Sequence, residues 1–183
     1  LNKNLGYKKI VVNTNKIYNR IYDKLIDNRK VKNKKNLNWI KNNVIDIKNY
    51  AVSIDANLWE ETMEFFNKFE ENSIEILKEI KHKVGGGGAY HLLYFLTRKY
   101  QPNYIVETGV ATGFTSSAIL EALEINKSGY LFSSDYPYPF LTEDENYLGI
   151  LVDERLKKRW MLHCEGDEFN LKKIPDLWKG KVD

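Results

Sequence analysis

The stretch that decides the fold is Tyr104-Ile105-Val106-Glu107-Thr108-Gly109-Val110-Ala111-Thr112-Gly113-Phe114-Thr115-Ser116. The β-branched residues Ile105 and Val106 favour a short buried strand, and the acid Glu107 follows them. Gly109 permits a sharp turn and a close approach of the backbone to a ligand. The residues after Gly113 favour the start of a helix. This order of strand, acid, glycine turn and helix predicts a cofactor pocket at the carboxyl edge of a parallel sheet.

The spacing of the glycines separates two classes of cofactor. A dinucleotide site has G-x-G-x-x-G and places a diphosphate on the helix N-terminus, whereas this turn reads G-x-x-x-G with Ala111 in its middle. The carboxylate of Glu107 would repel a diphosphate. A ligand with an ammonium group and no phosphate, such as S-adenosylmethionine, suits Glu107 better. The alternative is an ordinary strand–turn–helix with a capping acid, because short glycine patterns also arise by chance.

Two further strand-like runs end in acids. Residues 129–135 read as a buried strand that ends at Asp135, and residues 160–165 read as another that is followed by Gly166 and Asp167. Parallel topology brings the ends of neighbouring strands to one edge, where Asp135 can accept hydrogen bonds from two ribose hydroxyls. Asp167 would emerge beside it and could meet an adenine. Each of these acids could instead belong to a simple turn.

Together these motifs resemble the class I S-adenosylmethionine-dependent methyltransferases. The form Glu107-x-Gly109-x-x-x-Gly113-Phe114-Thr115 is similar to the first motif of the small O-methyltransferases. The resemblance also includes the glycines of residues 85–88 and the Ser134-Asp135-Tyr136-Pro137-Tyr138 stretch, and it covers roughly residues 84–183. It implies a cofactor site with the methionine end at the first turn, the ribose at Asp135 and the adenine near Gly166. The candidate cofactor-binding residues are Glu107, Gly109, Ala111, Thr112, Gly113, Thr115, Asp135, Gly166 and Asp167.

The family fold is a seven-stranded sheet with helices on both faces, and this sequence provides only its first part. Residues 181–183 look like the start of a fourth strand, so we expect a partial Rossmann-like α/β sheet with the order 3-2-1-4. The acceptor half of the family fold does not follow, which is what a fragment or truncated gene product would show. No catalytic residue is therefore assigned, and no metal site is expected.

The chain divides by composition into three expected parts: a basic extension over residues 1–57, a helical lead-in over 58–100 and the sheet region over 101–183. Apolar spacing predicts one helix over residues 36–50 and one or two helices over 58–80. The glycine run at 85–88 is either a linker or a loop over the methionine end of the cofactor. His91 after it is expected to be structural or solvated, since the chain has only 3 histidines.

Composition limits the partners. Residues 1–50 contain 13 Lys and Arg but only 3 Asp, and they also contain 12 Asn, a bias that an AT-rich genome produces. We therefore do not expect nucleic acid to be the partner. No apolar run approaches the ~20 residues of a membrane helix and no secretory signal opens the chain, so a cytoplasmic protein without a membrane partner is expected. The single cysteine, Cys164, is expected to be buried in a strand.

The sequence favours transfer of a methyl group from S-adenosylmethionine to a small acceptor, at an oxygen. Two alternatives stay open: an NAD- or nucleotide-binding oxidoreductase, and a non-catalytic, cofactor-binding remnant. A sheet that stops after three or four strands leaves an apolar strand at its edge, which promotes association. The sequence therefore also predicts a homo-oligomer.

Overall fold

The computed structural model describes residues 34–80, 86–136 and 147–178. The chain forms two units, Leu1–Asp46 and Ile47–Asp183. In the first unit the described element is helix α1, Lys34–Asn43. The second unit contains, in order, α2 (Ile47–Ile54), α3 (Ala56–Lys78), α4 (Tyr90–Tyr100), β1 (Tyr104–Thr108), α5 (Phe114–Asn126), β2 (Tyr130–Ser134), a 3-10 helix (Glu154–Arg159), β3 (Trp160–His163) and α6 (Asp167–Trp178).

The three strands form a parallel sheet in the order β1-β2-β3. Tyr104 is paired with Tyr130, and Phe132 is paired with Met161. The predicted order 3-2-1-4 is not confirmed, because the sheet has the order β1-β2-β3 and the segment 181–183 lies outside the described residues. The mixture of helices with a three-stranded parallel sheet is consistent with a Rossmann-like fold.

Helices cover both faces of the sheet. Successive side chains of a strand point to opposite faces, and on β2 Leu131 packs with Leu120 and Leu123 of α5. Its neighbour Phe132 packs with Ile174 of α6 on the other face. Because both faces of β2 are buried, its sequence is continuously apolar through Phe132 instead of alternating.

Helices α3 and α4 pack against α5 through an aromatic cluster. The side chains of Phe66 and Tyr94 are fully buried there, together with Ala118 and Ala122 of α5. Asp55 caps the N-terminus of helix α3, since its carboxylate accepts a hydrogen bond from the Leu58 N–H at 3.1 Å. The lead-in is therefore one long helix over most of the predicted 58–80 range, and Phe66 is a core residue.

Two local expectations were wrong. The helix expected over residues 36–50 is interrupted between Asn43 and Ile47, where two asparagines precede the β-branched Val44 and Ile45, all poor helix formers. Cys164 is exposed because β3 ends one residue before it, at His163. No helix in the described parts of the chain is long and apolar enough to cross a membrane.

Candidate functional site

The turn between β1 and α5 has the backbone that its glycines allow. Gly109 and Gly113 have φ angles of +85° and +95°, which L side chains rarely adopt. The Gly109 N–H donates to the Ser134 carbonyl at 2.8 Å, and the Gly113 N–H donates to the Val110 carbonyl at 2.9 Å. Thr112 is fully buried within the turn. The ends of β1 and β2 are thus joined at the carboxyl edge of the sheet.

Asp135, the first residue after β2, lies over this turn. Its Oδ2 accepts hydrogen bonds from the backbone N–H groups of Val110 at 2.6 Å and Ala111 at 2.8 Å. Its Oδ1 accepts from the Tyr136 N–H at 2.6 Å. The sequence therefore identified two groups, the glycine turn and the acid of the next strand, that the fold brings into direct contact.

Glu107 is buried, and three hydroxyl groups surround its carboxylate. Oε1 accepts from the Thr115 hydroxyl at 2.5 Å, and Oε2 accepts from the hydroxyls of Ser116 and Ser133, each at 2.7 Å. The Ser133 oxygen in turn accepts from Trp160 Nε1 at 2.8 Å. A buried charge needs such donors, so Glu107 connects β1 to α5, β2 and β3.

The third predicted element of the site also reaches this edge. The Gly166 N–H donates to the Asp135 carbonyl at 3.1 Å, and the Gly166 carbonyl accepts from the Asn170 N–H at 3.0 Å at the start of α6. The exposed Asp167 accepts a hydrogen bond from the Ser134 hydroxyl at 2.6 Å. All nine predicted site residues therefore lie along the carboxyl edge of the sheet or on the turn and helix starts that border it.

The sequence did not identify Asn170. This fully buried side chain donates from Nδ2 to the Ser134 hydroxyl at 2.9 Å and to the His163 carbonyl at 2.9 Å. Its Oδ1 accepts from the Glu165 N–H at 3.3 Å. A lone asparagine in a helix gives no sequence signal, so its role becomes visible only when β2, β3 and α6 are placed together.

A second segment missed from the sequence covers the turn. The Gly149 N–H donates to the Ala111 carbonyl at 2.8 Å, and the Leu151 N–H donates to the Thr112 carbonyl at 3.0 Å. A Cβ on Gly113 would lie 3.0 Å from the Gly149 Cα. The two backbones can approach this closely because Gly113 has no Cβ, and a Cβ on Gly149 would instead overlap the Trp160 ring. The residues around Gly149 have no strand or helix pattern in the sequence, so this segment was not predicted to contact the turn.

The described part of the glycine run, residues 86–88, lies beside the start of α5. A Cβ on Gly87 would overlap the Phe114 Cβ and lie 3.0 Å from the Tyr90 ring. Open space, with no heavy atom within 4 Å, borders the Cβ positions of Gly86, Gly88 and Gly109. At Gly87 the run therefore passes close to the first residue of α5, and whether it covers a bound cofactor stays a prediction.

Next to this run is a group of three polar side chains. His91 Nε2 lies 3.1 Å from Glu70 Oε1, and the Tyr90 hydroxyl donates to the same oxygen at 2.7 Å. Burial and the Glu70 carboxylate raise the pKa of Tyr90 to about 12, since both disfavour the phenolate. His91, which the sequence presented as a lone histidine, has a carboxylate partner from another helix.

The described residues contain no group of three or more His, Cys, Asp or Glu side chains suited to a metal ion. Both acids nearest the turn, Glu107 and Asp135, have their oxygens engaged by hydroxyl or backbone N–H donors.

Comparison with known proteins gives no sequence match and a distant structural similarity. No protein-family model and no curated protein sequence matches the chain. Among solved structures, the chain is similar to the crystal structure of an SAH-bound methyltransferase from Podospora anserina, with a TM-score of 0.37 and 16% sequence identity. The match covers 77% of this chain and 53% of the other, so the chain spans about half the length of that protein. A similarity this distant leaves function to be inferred from the residues themselves.

Proposed function

We propose that this chain binds S-adenosylmethionine at the carboxyl edge of its sheet, as part of a methyltransferase that acts on an oxygen of a small acceptor. One observation carries the proposal. The Asp135 carboxylate lies 2.6 and 2.8 Å from the backbone nitrogens of Val110 and Ala111, and its carbonyl accepts from the Gly166 N–H. Three stretches of sequence that resemble one cofactor site therefore meet around a single residue.

The residues at this edge fit an adenosine with an amino-acid tail better than a dinucleotide. Glu107 and Asp135 bring two carboxylates to the turn, and their charge opposes a diphosphate. Asp135 would hold the ribose hydroxyls, while the open space beside Gly109 lets the backbone approach the tail. Gly166 and Asp167 would border the adenine. These features favour the methyltransferase hypothesis over the NAD-dependent oxidoreductase.

S-adenosylmethionine, when bound, supplies a methyl group on a sulfonium cation. The chain's own residues then have to hold and orient the reactants, and such alignment contributes a large share of the rate in displacement reactions. The buried network of Glu107 keeps the turn rigid, and the segment around Gly149 covers the side of the turn that faces Thr112.

The test is isothermal titration calorimetry with S-adenosylhomocysteine on the whole chain and on Asp135→Asn. We expect the substitution to weaken binding about 10-fold or more, because hydrogen bonds to a charged group contribute about 1.5–3 kcal/mol each. Glu168→Gln is the matched control, since Glu168 is an exposed acid one residue beyond the site. Absence of binding to the folded wild-type chain at millimolar ligand would refute the proposal. Binding of NADH instead, seen as a change in nicotinamide fluorescence, would support the oxidoreductase.

We also propose that the chain associates through the outer edge of β1. In the described part of the sheet, β1 pairs with β2 only. A groove of about 570 Å³ runs along its other edge, lined by residues that include Leu96, Tyr100, Pro102, Tyr104 and Val106. The outer edge of a strand beside an apolar groove is a template for another strand. A monomer in light scattering at tens of micromolar protein would contradict this proposal and would leave the cofactor site unaffected.

A further inference from the structure

A groove of about 830 Å³ lies between α3 and α5 in the second unit of the chain. Helix α3 forms one wall, which includes Phe65, Phe69 and Ile76, and the opposite wall consists of Ile125 of α5 and residues 150–156. None of the nine candidate cofactor-binding residues is among the described residues that line the groove. Sites for small molecules typically have volumes of about 300–1,000 Å³, so the groove is large enough to be a second binding site.

The wall on α3 is a continuous face of that helix. Its lining residues recur every three or four positions between Glu61 and Ile76, a spacing that places them on one side of an α-helix over about 22 Å. Phe65 and Phe69 are half-buried, and their rings stack at 5.7 Å between centroids. Ile76 and Ile125 are 40% and 43% exposed. Apolar side chains that line a concave surface favour a partner that removes water from them.

The charged side chains around the groove are already paired with one another or with a neighbouring lysine. Glu61 lies 2.9 Å from Arg98, and the Arg98 side chain is only 18% exposed. The other pairs are Glu64–Lys68, Glu121–Arg155, Asp153–Arg155 and Glu154–Lys157. Every charged side chain among the described lining residues therefore has a partner of opposite sign. A charged ligand would have to replace one of these pairs, whereas an uncharged ligand leaves them intact.

The two ends of the groove differ in polarity. At the end beside the start of α5, Phe69 contacts Phe114 at 5.8 Å, and the buried Ser117 donates its hydroxyl to a backbone carbonyl at 3.0 Å. The pair of Glu61 and Arg98 lies at the other end of α5, where Arg98 contacts the last residue of that helix. The least polar part of the groove is therefore the end beside the start of α5.

We propose that this groove binds an uncharged, elongated apolar molecule whose least polar part lies beside the start of α5. The body of the ligand lies along α3, where Phe65 and Phe69 offer stacked or edge contacts. The proposal is independent of the proposed cofactor site, because the walls of the groove contain none of the residues assigned to that site.

The experiment titrates the whole chain with N-phenyl-1-naphthylamine, an uncharged dye whose fluorescence rises in an apolar environment. We expect saturable binding of one dye per chain. Ile76→Glu and Ile125→Glu place a carboxylate on opposite walls, and each should weaken binding about 10-fold or more, since the new charge would lose water beside an apolar ligand. Ile74→Glu is the matched control, because Ile74 also lies on α3 and is 56% exposed but does not line the groove. It should keep wild-type affinity.

A second dye tests the charge of the ligand. An anionic naphthalenesulfonate dye of similar size should bind the wild type more weakly than the uncharged dye, and equal or tighter binding would overturn the inference of an uncharged ligand. Calorimetry with S-adenosylhomocysteine should give the same result for the wild type and Ile76→Glu. The cofactor site and the groove can therefore fail separately.

Three results would overturn the assignment of the groove. They are the absence of saturable dye binding, equal weakening by Ile74→Glu and Ile76→Glu, and a wild-type dimer in light scattering that Ile76→Glu converts to a monomer. The last result would assign the groove to a second copy of the chain. Circular dichroism checks that each variant is folded. Should Ile76→Glu not fold, the comparison of Ile125→Glu with Ile74→Glu decides.

Discussion

At the residue scale, Glu107 differs from an ordinary surface acid because three hydroxyls donate to its buried carboxylate. Glu107→Gln keeps the shape of the side chain but replaces one acceptor oxygen with an NH₂ group that faces a hydroxyl donor. We expect it to lower the free energy of unfolding by about 1–3 kcal/mol, the typical cost of a buried polar group that loses its partner. Urea unfolding followed by circular dichroism measures this change. Glu60→Gln, on the exposed face of α3, is the control, and equal midpoints for the two variants would contradict the prediction.

The two glycines of the turn should respond differently to alanine. Both have positive φ angles, so each Gly→Ala change carries a backbone cost of about 1–2 kcal/mol. The Cβ in Gly113→Ala would also meet the Gly149 Cα at 3.0 Å, whereas the Cβ in Gly109→Ala would enter open space.

Gly113→Ala should therefore be the less stable variant, by roughly a further 1–3 kcal/mol of overpacking. Gly109→Ala should instead lose more of its affinity for S-adenosylhomocysteine, because its methyl group occupies the space beside the turn. Thermal unfolding and calorimetry of both variants test this pair. A Gly113→Ala protein as stable as Gly109→Ala would show that the contact with Gly149 is not tight.

At the scale of elements, the Asn170 side chain connects α6 to the ends of β2 and β3 by hydrogen bonds. Asn170→Leu is nearly isosteric but removes both donors and the acceptor. We expect a loss of stability of about 1–3 kcal/mol for each buried group left without a partner, with a larger effect than Phe169→Leu, whose side chain is 60% exposed. Hydrogen exchange of the α6 amides gives the local readout. Unchanged protection in Asn170→Leu would mean that the packing of Ile174 alone holds the helix.

The elements that local chemistry specifies were predicted from the sequence, and those set by distant contacts were not. The strand at residues 104–108, the turn and the helix from Phe114 follow from β-branched residues, glycines and helix formers that are adjacent in the chain. The segment around Gly149 shows no such pattern, because its position depends on hydrogen bonds to Ala111 and Thr112. The pairing of His91 with Glu70 depends on how α3 and α4 pack, which spacing along the chain does not specify.

At the scale of the whole molecule, ion pairs between elements set the response to acid. Arg98 holds the pKa of Glu61 below its usual range, and Lys99 does so for Asp55. Lys158 and Arg159 lower the pKa of Glu124 to about 2. These pairs connect α3 to α4, and α5 to the 3-10 helix. A single-sequence pattern shows the charges but not these partners, since the members of each pair are 34 to 44 residues apart.

These shifts predict that the protein loses stability in acid. Each carboxyl has a lower pKa in the folded state than in the unfolded chain, so the unfolded chain binds more protons as the pH falls, and stability rises with pH in that range. The stabilisation that these ion-paired carboxylates give the folded state is complete above the ordinary carboxyl pKa. It is lost as the pH falls from about 4.5 towards 2.

We expect the urea midpoint to fall between about pH 6 and about pH 3. Glu124→Gln should make that fall smaller, because it removes one of the carboxyl groups whose pKa is lowered by folding. Urea unfolding at several pH values measures both, with Glu60→Gln, an exposed glutamate on α3, as the control. A wild-type midpoint that stays constant or rises on acidification would contradict the assignment of these ion pairs.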